Sequence, residues 1–173
     1  MTLEPDQLAA QGKLAFEDKK YIEAAELFRQ AATGYTAGRA GLLAAEMMNN
    51  TSVAFLQAGQ PQEALDAALG TDQIFEGAQD LKRQGMAIGN QAAALEGLNR
   101  YDEALAAYTR SAELFALAGE GDLQAMVLKS TAAIKLKTGR LADSAFKMMG
   151  SLNVKETPGF LERILKFFLR FIK

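Results

Sequence analysis

The sequence predicts an all-α fold in which about four helical hairpins stack into a solenoid. Three sets of positions point to it. Ala24, Ala64, Ala104 and Ser144 are small residues 40 apart, each preceded by an acid: Glu23, Glu63, Glu103 and Asp143. Twelve residues ahead of each lie Gly12, Ser52, Ala92 and Ala132, again all small. Tyr35, Phe75 and Phe115 repeat an aromatic at a third phase. Agreement at a constant step of this size marks one supersecondary unit copied along the chain. Such a unit cannot bury its own apolar face, so copies are expected to stack on their neighbours.

The repeats are expected over about 5–38, 41–78, 81–118 and 121–150, together a domain over 1–150. Each reads as two helices. The pairs are 5–18 with 21–35, 41–58 with 61–77, 81–98 with 101–118, and 121–138 with 141–149. Gly59 and Gly139 fall at hairpin turns, where a left-handed residue ends a helix. Asn99 takes the same place in the third repeat and tolerates the same conformation. Pro61 suits the first turn of a helix, where its missing N–H costs nothing. The acids Glu23, Glu63, Glu103 and Asp143 fall in the first turn of each second helix, where the helix dipole favours them. After Gly150 the step stops. A linker is expected over 151–157 and a separate amphipathic helix over 158–173.

The run Tyr101-Asp102-Glu103-Ala104-Leu105-Ala106-Ala107-Tyr108 resembles the second helix of a tetratricopeptide repeat (TPR). Tyr21-Ile22-Glu23-Ala24-Ala25-Glu26-Leu27-Phe28 resembles it as well, with Ala31 as the next small residue. The resemblance spans roughly residues 5–150. It is closest in repeats one and three; repeat two has Pro61 and Ala68, and repeat four Leu141 and Met148, where aromatics are expected. The step exceeds the ~34 residues of the common repeat. In this it resembles the longer-repeat TPRs of kinesin light chains and spindle-orientation adaptors. The resemblance implies a TPR-like right-handed α-solenoid whose first helices line a concave groove for a partner's peptide or helix.

On that groove the resemblance places Asn50 and Asn90, which are 40 residues apart in the contexts Met48-Asn49-Asn50-Thr51 and Ile88-Gly89-Asn90-Gln91. Such Asn residues are implied to hold a peptide's backbone, and a side-chain amide has the donor and acceptor to do so. A bridge between adjacent repeats is the structural alternative. Ala10 and Ser130 interrupt the ladder at its ends. Asn49, Met86, Met126 and Lys129 complete the expected groove set. Gly85, Gly89, Ala93 and Gly97 leave one helix unusually small on one side; either tight packing or room for a ligand would account for them. The charge clamp some TPRs use for a C-terminal carboxylate is incomplete. Lys13, Lys129 and Lys137 are candidates, but Asn49 and Gly89 stand where further matching polar groups are needed.

The 158–173 segment separates its faces fully. At 100° per residue, Glu162, Arg163, Lys166, Arg170 and Lys173 share an arc of about 100°, and nine large apolar residues fill about 200° opposite. A span is excluded by size, since 16 residues make a helix of roughly 24 Å against a ~30 Å hydrocarbon core. Three burials stay open: a cap on the solenoid's end, an in-plane helix on an anionic membrane surface, or insertion into a TPR groove of this chain or a second copy. Phe160, Arg163, Ile164, Lys166, Phe167, Phe168, Arg170 and Phe171 would make the contact with membrane or partner.

Charge and chemistry narrow the function. The chain carries a net charge of −2. Four basic residues against one acid give 158–173 a charge of +3, which leaves −5 for the rest. No nucleic-acid partner is expected of such a body. Without His or Cys the usual general base and thiol nucleophile are missing, and no acidic cluster has metal-ligand spacing. No enzyme activity, cofactor or metal is therefore expected. The N-terminus Met1-Thr2-Leu3-Glu4-Pro5-Asp6 lacks the basic-then-apolar pattern of a signal peptide. A cytoplasmic location is expected, peripheral on the inner membrane face if the tail binds lipid. The expected function is a non-catalytic protein–protein interaction scaffold or adaptor. The alternative is a self-assembling structural protein, a homo-oligomer driven by the C-terminal helix, or one in which that helix caps or occupies the groove.

Overall fold

The computed structural model of the chain describes residues 3–140. Those residues are all-helical, with no strand among them. The helices are α1 (Pro5–Glu17), α2 (Tyr21–Ala37), α3 (Gly41–Gln57), α4 (Pro61–Ala68), α5 (Thr71–Gly77), α6 (Leu81–Gly97), α7 (Tyr101–Leu117) and α8 (Gly121–Lys137). The expected helix at 141–149, the linker at 151–157 and the helix at 158–173 lie outside the described residues. No helix among the described residues is long and apolar enough to cross a membrane.

The turns reveal a half-step of the repeat. Positive φ occurs at Lys19, Arg39, Gly59, Gln79, Asn99, Gly119 and Gly139, one residue in every twenty. At six of these turns the following amide reaches five residues back. Lys20 N–H bonds the carbonyl of Ala15 and Ala40 that of Tyr35, both at 2.8 Å; Gln60, Asp80, Arg100 and Glu120 bond Phe55, Phe75, Leu95 and Phe115, all at 2.9 Å. This is the Schellman ending, in which a left-handed residue lets the chain satisfy carbonyls the last helical turn would leave open. The result is a helical, repeat-like architecture in which α2, α3, α6, α7 and α8 all have 17 residues.

Helices pack in chain order within a compact unit that ends at Ile134. α1 packs on α2, α2 on α3, and α3 on α4, α5 and α6; α4 and α5 both meet α6, and α6 meets α7. From α8, Val127 and Ile134 join a cluster with Tyr108, Ala112 and Phe115. The 40-residue small positions are where backbones come closest. Ala24, Ala64 and Ala104 are all fully buried. A Cβ on Gly12 would stand 2.8 Å from the Phe28 ring, and one on Gly85 would stand 2.9 Å from Phe115. One on Gly97 would meet Pro61 at 2.8 Å. Gly85 and Gly97 thus serve close packing between helices.

One expectation is corrected. The second helix of repeat two, expected unbroken over 61–77, is two helices, because Gly70 turns left-handed at φ 80° and Leu69 is extended at ψ 130°. Two residues account for the break. Ala68 stands where Phe28 and Tyr108 stand in the neighbouring repeats, so no aromatic anchors this helix to its partner. Gly70 then adopts the left-handed turn without a Cβ penalty. The carbonyl of Ala68, released by the break, accepts from Thr71 Oγ1 at 2.7 Å and from Gln91 Nε2 at 3.1 Å. Thr71 Oγ1 also lies 2.9 Å from Asn49 Oδ1, and Gln91 Nε2 donates to Asp72 Oδ1 at 3.0 Å. Asn49, Thr71 and Asp72 are buried, and a buried polar group left without partners would be costly. A polar network replaces the missing ring.

Candidate functional site

Two hollows form at partly overlapping positions of the repeat. The first, of about 230 Å³, is lined by Lys13, Phe16 and Glu17 of α1, Phe28 of α2, and Asn50 and Val53 of α3. The second, of about 240 Å³, is lined by Met86, Gly89, Asn90 and Ala93 of α6, Tyr108 and Phe115 of α7, and Leu123, Met126, Val127 and Ser130 of α8. Moving 80 residues along the chain carries Lys13 to Ala93, Phe28 to Tyr108 and Asn50 to Ser130. In both, two first helices form the walls and an aromatic from the second helix between them forms the floor.

The floor differs between the two. Phe28 offers only a ring, whereas the Tyr108 hydroxyl donates to Glu96 Oε2 at 2.9 Å. Burial, and then that bond to Glu96, push the Tyr108 phenol far above its ordinary value, so it stays neutral. The second hollow is the more apolar of the pair and has methionines on both walls: Met86 is 42% exposed and Met126 59%. Unbranched thioether side chains at such exposure can mould to an incoming surface. Asn90 and Ser130 are half-buried and supply the neutral polar groups.

The expected site residues therefore fall in three places. Asn90, Met86 and Met126 come together in the second hollow, and Asn50 lines the first. Asn49 is buried, with its side-chain oxygen on Thr71, and Lys129 is exposed and lines neither hollow. Neighbours on a helix point about 100° apart, so Asn49 and Asn50 do not serve one surface. Phe160, Arg163, Ile164, Lys166, Phe167, Phe168, Arg170 and Phe171 lie outside the described residues. Phe16, Phe28 and Tyr108 are among the lining residues outside the expected set, whereas Ser130 holds the groove position equivalent to Asn50 and Asn90. The signal for Phe28 and Tyr108 was present in their 80-residue spacing.

Gly89 belongs both to a wall and to the packing, since a Cβ there would stand 3.2 Å from Ser111 Oγ. That hydroxyl donates to the Gly85 carbonyl at 2.7 Å and ties α7 to α6 beneath the second hollow. Among the described residues no group of three or more His, Cys, Asp or Glu is placed to hold a metal ion. No protein family matches the chain, and no curated protein matches it either.

Proposed function

We infer that this chain is a TPR-like α-solenoid that works as a non-catalytic scaffold or adaptor in the cytoplasm. It holds a peptide or helix of a protein partner along its first helices. The observation that supports this reading most is a hollow at α1–α3 and another at α6–α8 with an amide or hydroxyl at the same wall position. Repeated pockets along a run of stacked helices suit an extended ligand that meets each in turn. Asn50 and Asn90 would pair with the ligand's peptide bonds, Met86 and Met126 would cover its apolar side chains, and Lys129 would flank them. The 158–173 segment supplies a separate docking element.

Selection of binders from a displayed random-peptide library against the full chain tests the reading. A selected peptide should bind Asn50→Ala/Asn90→Ala at least ten-fold more weakly, with an unchanged circular dichroism melt. Equal binding by the variant would remove the groove assignment.

A further inference from the structure

A third depression breaks the repeat. It is a cleft of about 510 Å³ between α5, the start of α6, and α7, away from the two hollows. Glu76 and Glu113 stand exposed in its lining, which also includes Leu81, Leu114 and Leu117. Leu117 is 74% exposed, the most of any large apolar residue described. Neither Glu76 nor Glu113 makes an ion pair or side-chain hydrogen bond with a described residue. Arg110, a cation in the lining, lies 3.9 Å from Asp72.

A second observation lies at the base. Gln84 is 4% exposed and lines the cleft, yet its carboxamide makes no hydrogen bond with any described residue. Among the described residues the fully buried side-chain atom without a partner is Ser52 Oγ, so the Gln84 amide is reached from the cleft, where an arriving polar group can pair with it. Forty residues earlier the chain has Thr36, Ala44, Gln73 and Gly77 in place of Glu76, Gln84, Glu113 and Leu117. The acids, the buried amide and the exposed leucine are thus all departures from the repeat, gathered in one place.

Free carboxylates beside leucines call for a cationic amphipathic segment, whose apolar face covers Leu81, Leu114 and Leu117 while its charges meet Glu76 and Glu113. The chain contains one such segment, 158–173, with Arg163, Lys166 and Arg170 beside nine large apolar residues. Its +3 opposes the −5 of the remaining chain. We propose that this cleft receives the 158–173 segment of a second copy. One helix in one cleft makes roughly half of a standard ~1,600 Å² interface, and reciprocal exchange between two copies completes it. The surface is distinct from the proposed peptide groove and does not depend on it.

Sedimentation velocity on the full chain over a concentration series reads the association. Wild type should form a dimer, and Glu76→Lys/Glu113→Lys should raise the dimer dissociation constant at least ten-fold. Arg163→Glu/Lys166→Glu/Arg170→Glu should do the same, and an equimolar mixture of the two variants should associate again. Gln84→Ala should weaken the dimer less than the charge reversals, and Asn50→Ala/Asn90→Ala should leave it intact. Melting curves on every variant keep misfolding from passing as lost association. A wild type that stays monomeric, including one that binds anionic vesicles instead, overturns the proposal. So does a dimer that survives either charge reversal, or a mixture that fails to restore it.

Discussion

The Thr71 hydroxyl lies 2.9 Å from the side-chain oxygen of Asn49 and ties α5 to α3 inside the protein. The same hydroxyl meets the Ala68 carbonyl at 2.7 Å, so one side chain serves both the broken helix and its neighbour. Thr71→Val keeps the shape and removes the donor. Asn49 keeps its burial and loses this partner, which should cost about 1–3 kcal/mol. Urea unfolding would read that loss, and Asn49→Ala/Thr71→Val should cost less than the two single changes summed. A Thr71→Val chain as stable as wild type would contradict the structural role given to this pair.

Close approach at Gly12 predicts a clash. Gly12→Ala places a methyl group 2.8 Å from the Phe28 ring and should destabilise by about 1–3 kcal/mol as the ring is displaced. Gly77, at the end of α5, has nothing within 4 Å of its missing Cβ. Gly77→Ala should be neutral or stabilise by up to about 1 kcal/mol, because alanine loses less backbone freedom on folding. The two thermal midpoints, measured side by side, should move in opposite directions or differ by several degrees.

Left-handed turns offer a second comparison. Arg39 holds φ 59° with a Cβ, where Gly59 holds φ 74° without one. A non-glycine residue in this region pays roughly 1–2 kcal/mol of steric strain. Arg39→Gly should therefore raise stability by about 1 kcal/mol, and Gly59→Ala should lower it by a similar amount. A chain that loses stability on Arg39→Gly would show that the arginine side chain outweighs its backbone strain.

Acid should weaken the start of α6. Asp80 accepts from the Arg83 backbone N–H at 2.9 Å and from its guanidinium at 2.7 Å. The backbone bond first, and the guanidinium second, hold its carboxyl below the ordinary 3.8. A folded value below the unfolded one means stability that is complete above 3.8 and disappears as pH falls through the folded value. Asp80→Ala should cost about 1 kcal/mol at neutral pH as a lost helix cap. The gap to wild type should narrow as pH falls below 3.8 and through the lower folded value, and a gap independent of pH would argue against the charged cap.

Helix pairing was legible in the sequence because the 40-residue step places small residues wherever two backbones approach, as at Gly12 and Ala104. The half-step of twenty was not legible. Lys19, Arg39 and Gln79 take the left-handed turn without being residues that advertise it, since the turn is imposed by the Schellman bonds around them. Gly70 was visible as a glycine inside a helical pattern, beside an Ala68 that should have been aromatic. Its effect depended on Asn49, Gln91 and Asp72 converging from three helices, which spacing alone does not reveal. At the site, adjacency made Asn49 and Asn50 look alike, and only their different faces separate an interior bond from a wall of a hollow. Gln84 gave no signal as a buried amide, because its burial comes from packing between helices.

The evenly spaced left-handed turns have a kinetic consequence. Each turn closes within six residues, and most helices pack on one close by in the chain, so contact order is low. Proteins of this kind fold in microseconds to milliseconds. The polar bonds at the Gly70 break differ in kind, because they form only once α3, α5 and α6 are all in place. Folding should therefore run quickly through the hairpins and finish at α4–α5, with the polar network the last part to lock.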